Sequence, residues 1–263
     1  MINLDKIVKY LEKYKGQLEE LYKWEPRYDR LLKLNVINTS ALSKLNSKIN
    51  SFQKEELLKD ILSKELQNRP IYSEEFKELA LWIIRDWGGI YGGSDLETMK
   101  LVKAFIGTEK PAFDRIASTS KVGGFMYPER NIIYDSRVSY SVNWIILSQN
   151  AGDKYFPIPE GRNTKMGAFD MNVLIRLKYI NEYKTNAGKQ NKNHISEIDK
   201  RLYVAKENAY QEMNKLITEV NKVLWSDYKK NQPFYTEMLL FSLADTIVFE
   251  EITSTVSLKM NVK

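Results

Sequence analysis

Apolar residues recur three and four apart through most of the chain, which is the spacing of one helix face. Residues 4–23 carry Leu4, Ile7, Val8, Leu11, Leu18 and Leu21 and predict a helix. A second stretch, 41–66, carries Leu42, Leu45, Ile49, Leu57, Leu58, Ile61 and Leu62. Arg69-Pro70 closes it, because the residue before a proline is pushed out of the α region. Ser73 opens a helix that passes through Leu79, Leu81, Ile83 and Ile84 and stops at Trp87-Gly88-Gly89. Ser94-Asp-Leu-Glu97 has the form of a capping box, in which serine and glutamate satisfy each other's backbone amides, and predicts a helix to Gly107. A helix over 111–126 has Pro111 in its first turn and stops before Pro128. Ile132-Ile133-Tyr134 reads as a short extended piece, and Asp135 as the N-cap of a helix reaching about Leu147.

Residues 151–167 form the longest stretch without periodicity, and their prolines, glycines and aromatics suggest an ordered loop. A helix is expected over 169–183, then a polar linker over 184–194. The longest helix, 196–225, carries Ile198, Leu202, Ala205, Ala209, Met213, Leu216, Val220 and Val223. A last helix runs from Phe234 to Phe249. Thr253–Leu258 alternates like a strand but has no second strand to pair with. The expected class is all-α, an orthogonal multi-helix bundle. Its expected parts are N-terminal helices over 1–72, a core over 73–167 and an added C-terminal helical part over 168–263.

Composition narrows the chemistry. The chain has 263 residues, 43% of them hydrophobic, enough to bury a core. No window resembles a bilayer span, and the N-terminal residues lack the apolar region of a secretory signal. With no cysteine, disulfides, thiolate metal sites and a cysteine nucleophile are excluded, and a reducing cytoplasm fits. The single histidine, His194, sits in a polar stretch, so a histidine-based triad or metal site is not expected. Proton chemistry would fall to carboxylates, lysines or tyrosines. The net charge of +6, concentrated between Arg176 and Lys230, favours a polyanionic partner. No P-loop or dinucleotide fingerprint is present, and no metal or small-molecule cofactor is expected.

The segment from Ser118 to Val138 is the most informative. Two glycines, Gly123 and Gly124, lie near a helix end; a short link follows, and then a carboxylate opens the next helix with Arg137 two residues on. The field of a helix N-terminus and its amide donors keep such a carboxylate ionised. An ionised carboxylate of fixed position suits a reaction that develops positive charge, such as cleavage of a base from deoxyribose. On its residue type and position alone, Asp135 is an ordinary N-cap.

Ile132-Ile-Tyr-Asp135-Ser-Arg137-Val138 resembles the segment around the catalytic aspartate of the helix-hairpin-helix DNA glycosylases, a likeness spanning roughly residues 75–150. The resemblance implies an enzyme that hydrolyses the N-glycosidic bond of a damaged or modified base flipped out of double-stranded DNA. Its setting would be base-excision repair or antiviral defence against DNA with modified bases. It implies Asp135 as catalytic, Lys121 as the candidate Schiff-base nucleophile, and Gly123 and Gly124 as phosphate-holding hairpin glycines. Arg130, Arg137, Arg162 and Asn163 would hold the DNA. Trp87, Tyr91, Tyr127, Tyr134, Tyr155 and Phe156 would form the base pocket. The family's leucine-proline-glycine-apolar-glycine hairpin string is absent, and no four-cysteine cluster is present, which excludes the iron–sulfur branch. The alternative reading is a helical module that binds nucleic acid or protein without catalysis.

Overall fold

The computed structural model describes residues 2–108, 110–161, 163–181 and 200–257. Among these residues the fold is all-α, with no strand and one isolated bridge between Tyr155 and Tyr203. The polar linker over 184–194, His194 and Arg162 lie outside the described residues.

Several predicted helices are divided. The first becomes α1 (Leu4–Leu11), a 3-10 turn at Lys15–Gln17 and α2 (Leu18–Leu21). Gly16 weakens a helix interior there by about 1 kcal/mol relative to alanine. After α3 (Asp29–Lys33), the 41–66 stretch splits into α4 (Thr39–Asn46) and α5 (Ser51–Gln67). Asn50 starts α5 by accepting the amide of Gln53, and Ile49, expected on an apolar face, is 89% exposed. Side-chain capping outcompetes helix continuation at such an asparagine.

α6 (Glu74–Trp82) runs into a π turn, Ile83–Trp87, and ends at Gly88. α7 (Asp95–Ile106) begins at Ser94, whose hydroxyl accepts the amide of Glu97. α8 (Ile116–Met126) begins later than Pro111, because Arg115 takes a left-handed conformation (φ 50°) just before it. α9 (Ser136–Ser148) follows Asp135, and α10 (Thr164–Ala168) and α11 (Met171–Lys178) follow the irregular loop. The helix expected over 196–225 is α12 (Lys206–Leu224). The residues before it turn at Lys200–Leu202 and then run beside the loop, where the Tyr155 amide donates to the Leu202 carbonyl and its carbonyl accepts the Val204 amide. The last predicted helix is two, α13 (Phe234–Leu243) and α14 (Ile247–Thr255), the second absorbing part of the strand-like tail.

Buried side chains form two clusters whose grouping does not follow residues 72 and 167. One gathers α1, α2, α9 and α11–α14 with Tyr155 and Phe156 of the loop. The other gathers α4–α8. The extended piece 132–134 runs along the seam. Ile132 and Tyr134 enter the first cluster and Ile133 the second, as the two-residue alternation of extended chain requires.

Candidate functional site

The seam holds the backbone of residues 132–135 with side chains from three helices. The amide of Ile132 donates to Asn214 Oδ1 on α12, that of Ile133 to Glu237 Oε2 on α13, and that of Tyr134 to Ser120 Oγ on α8 (3.0, 3.0 and 2.9 Å). Tyr210 donates its hydroxyl to the carbonyl of Ile132. An extended segment with no neighbouring strand must satisfy its amides this way when buried. Gly124 allows the close approach to α8: a Cβ there would sit 2.8 Å from Ile133.

This anchoring fixes Asp135 at the start of α9. Its Oδ1 accepts the amide of Arg137 at 2.9 Å, and its Oδ2 accepts a hydrogen bond from Lys121 Nζ at 3.0 Å. The Lys121 side chain is 4% exposed and that of Asp135 19%. Burial alone pushes the Asp135 carboxyl up. Lys121, the Arg137 amide and the Arg137 guanidinium together outweigh it and hold the carboxyl below the ordinary carboxylate range.

The pair lines a recess of about 40 Å³ whose aromatic walls are Tyr22, Trp24, Trp87 and Phe241. The π turn brings Trp87 here. Its indole donates to Glu55 Oε2, and its carbonyl accepts the Trp24 indole at 2.9 Å. π turns recur at functional sites because they re-aim a side chain without breaking the helix. Trp24 belongs to the irregular segment between α2 and α3 and packs against both clusters. The recess meets a wide cleft of about 970 Å³, and Trp24, Gly88, Asp135 and Phe241 line both. Arg115, Arg137 and Lys206 bring positive charge to the cleft, and Asp114 and Glu160 bring negative charge.

A second group of charges adjoins the recess through Trp87 and Glu237. Glu55 and Lys59 on α5 are both buried, with Lys59 Nζ 3.8 Å from Glu55 Oε1 and over the rings of Phe125 and Phe234. Glu237 completes the group and also lines the recess. Burial pushes the Glu237 carboxyl up to about 7; Lys59, the Ile133 amide and Lys121 oppose the shift, and Glu55 adds to it. Burial likewise raises Glu55, against the pull of Lys59 and hydrogen bonds from Trp87 and Tyr22.

The residues singled out in the sequence separate into groups. Lys121, Asp135 and Trp87 meet in the recess. Arg137 and Asn163 converge on Asp245 at the cleft, the first by an ion pair of 2.9 Å and the second by a hydrogen bond of 3.0 Å. Arg137 also lies over the Phe241 ring at 4.7 Å. Arg130 stacks on Tyr127 in a separate hollow with Asn214. Gly123 and Gly124 lie inside α8 and are buried, so they form no hairpin; they serve close packing against Phe105 and Ile133. Tyr134, Tyr155 and Phe156 are core side chains, and Tyr91 is 66% exposed, away from the recess. Tyr22, Trp24, Glu237 and Phe241 complete the recess without having been singled out. Among the described residues, no group of histidines or carboxylates could hold a metal ion.

Gly88 is the position where the Lys121 stem crosses the end of the π turn. A Cβ there would lie 2.7 Å from Lys121 Cδ and Cε and from the Ile84 carbonyl. Gly88→Ala is therefore expected to displace Lys121 from Asp135 and to cost about 1–3 kcal/mol of stability through overpacking. The Asp135 carboxyl should then titrate higher, as read by carbon NMR of the side chain. The stability Asp135 confers is present above its unfolded pKa and lost as pH falls through its depressed folded value, so the variant should lose it at a higher pH.

Comparison of the chain with protein-family models, with curated proteins and with solved structures found no match.

Proposed function

We propose that the protein is a DNA N-glycosylase acting on a damaged or modified base extruded from the duplex. The observation that carries this reading is the Lys121–Asp135 pair, at 3.0 Å, in an aromatic-walled recess that opens onto a cleft bearing Arg115, Arg137 and Lys206. A nucleophile and a base within hydrogen-bond reach are what covalent catalysis needs. Lys121 passes a proton to Asp135, and the free amine attacks C1′ of the sugar as the base departs. The adduct opens at its C1′–O4′ bond, O4′ taking a proton, to give a Schiff base, and hydrolysis of that imine completes the net cleavage. The cations of the cleft hold phosphates on either side of the extruded nucleotide.

At about 40 Å³ the recess has room for roughly one water. A base enters as Trp24, tied to the Trp87 carbonyl by one hydrogen bond, swings toward the cleft and leaves Trp87 and Phe241 to stack on it.

Borohydride reduction tests the chemistry directly. The protein is incubated with duplex oligonucleotides, each containing one uracil, hypoxanthine, 8-oxoguanine or 5-hydroxymethylcytosine, and with virus-derived DNA carrying modified bases. A reduced covalent adduct is expected with at least one of them, together with the free base, and Lys121→Ala should abolish the adduct. Salt-sensitive DNA binding without adduct or base release from any of these would replace the enzyme by a non-catalytic binding module.

A further inference from the structure

The recess holds three charged side chains, and the pair assigned above uses only two. The third is Glu237. It reaches the recess from α13, on the opposite cluster from Lys121, and one of its oxygens is held by the amide of Ile133. That bond ties the Glu237 carboxyl to the same backbone segment that positions Asp135. The groups facing it are Glu55 and Lys59 from α5, Lys121 from α8, and Tyr22 and Tyr210. Asp135 lines both the recess and the cleft, whereas Glu237 lines the recess alone.

We propose that Glu237 is the general acid of this site, giving its proton to the departing base while Asp135 receives the proton of the nucleophile. The proposal rests on the glycosylase reading and adds a residue and a role to it. Two carboxyls in one site, one held ionised and one held protonated near neutrality, are the usual physical basis for dividing base and acid roles. Asp135 has a lysine and a helix N-terminus beside it. Burial pushes the Glu237 carboxyl up to about 7, and the nearby Glu55 carboxyl adds to the shift.

The step balances as follows. The Lys121 ammonium transfers a proton to the Asp135 carboxylate. The free amine forms a bond to C1′ as the C1′–N bond breaks, with its electron pair going to the base. The Glu237 carboxyl protonates the base, which leaves neutral. The Glu237 carboxylate then takes the extra proton from the new secondary aminium. The substrates favoured are bases whose departure needs protonation, because a group that leaves readily as an anion gains little from an acid.

Single-turnover base release by the full chain, on whichever of the DNAs above the parent cleaves, is measured from pH 5 to 9 for the parent, Glu237→Gln and Glu237→Asp. Glutamine keeps an acceptor for the Ile133 amide, so the site stays in place. The parent rate should fall above about pH 7. Glu237→Gln should lose about 10²-fold or more and lack this alkaline limb, and Glu237→Asp should restore part of the rate together with the limb. Side-chain carbon NMR of the protein without DNA should show Glu237 titrating near 7. A parent that releases no base from any DNA ends the glycosylase reading, and this proposal with it. A parent that releases base while Glu237→Gln keeps its rate, or slows equally at every pH with the limb intact, overturns the general-acid role and leaves the glycosylase reading standing. Glu237 titrating in the ordinary carboxylate range would overturn the role as well.

Discussion

Asp135→Asn is expected to lower base release by about 10²–10³-fold while leaving the protein folded. Asparagine caps a helix about as well as aspartate, and its amide oxygen can still accept the Arg137 amide, so α9 should start at the same place. What disappears is the charge. Lys121 would have no acceptor for its proton and would remain an ammonium, which cannot attack C1′. Developing positive charge on the sugar would also lose its neighbouring carboxylate. The cost to stability should be smaller, about 1–3 kcal/mol, from a nearly buried ammonium left with a neutral partner. Single-turnover release of the freed base, beside a thermal melt, separates the two effects. A folded Asp135→Asn protein with parental release would reduce Asp135 to a helix cap.

Lys59→Met should be the most destabilising of the changes considered, by about 3–5 kcal/mol at neutral pH. Methionine fills nearly the same volume, so the loss is electrostatic rather than a cavity. Lys59 is 2% exposed and is the cation that most strongly holds down the carboxyls of both Glu55 and Glu237. Without it both carboxyls rise further and must bind protons to stay buried. A carboxyl raised in the folded state has its full stability below its unfolded pKa and loses it as pH rises through the folded value. The deficit should therefore be small at about pH 4.5 and grow toward pH 7, an ordering that denaturant titrations at several pH values would read. A deficit independent of pH would mean that Lys59 contributes by packing over Phe125 and Phe234 alone.

The helix starts that depend on local chemistry were legible: Ser94, Asp135 and the stop at Trp87-Gly88 are where the sequence places them. Gly16 and Asn50 divide stretches that periodicity alone joins. In the site, Asp135 could be named as the N-cap of a helix, and the glycosylase resemblance singled out both it and Lys121. The glycines beside Lys121 suggested a hairpin, yet small residues within a helix also permit close packing, and here they do. Tyr134, Tyr155 and Phe156 looked like pocket residues on chemistry, but loop aromatics can be drawn into a core as readily as left at its edge. Glu55 and Lys59, four apart on a polar helix, carry no signal of their burial; Tyr22, Trp87, Phe125 and Phe234, brought from elsewhere in the chain, surround them. Glu237 did leave a signal. It is the one charge in the apolar run from Phe234 to Leu243, as Lys121 is in α8, and a lone charge in such a run points inward.

The anchoring of residues 132–135 also sets an order of events during synthesis. Ile133 waits for a partner 104 residues further along, and Ile132 for one 82 residues on. On the ribosome, the stretch leading into Asp135 emerges long before α12 and α13 can receive its amides. The segment leading into Asp135 thus gains its long-range partners only when translation has passed Glu237.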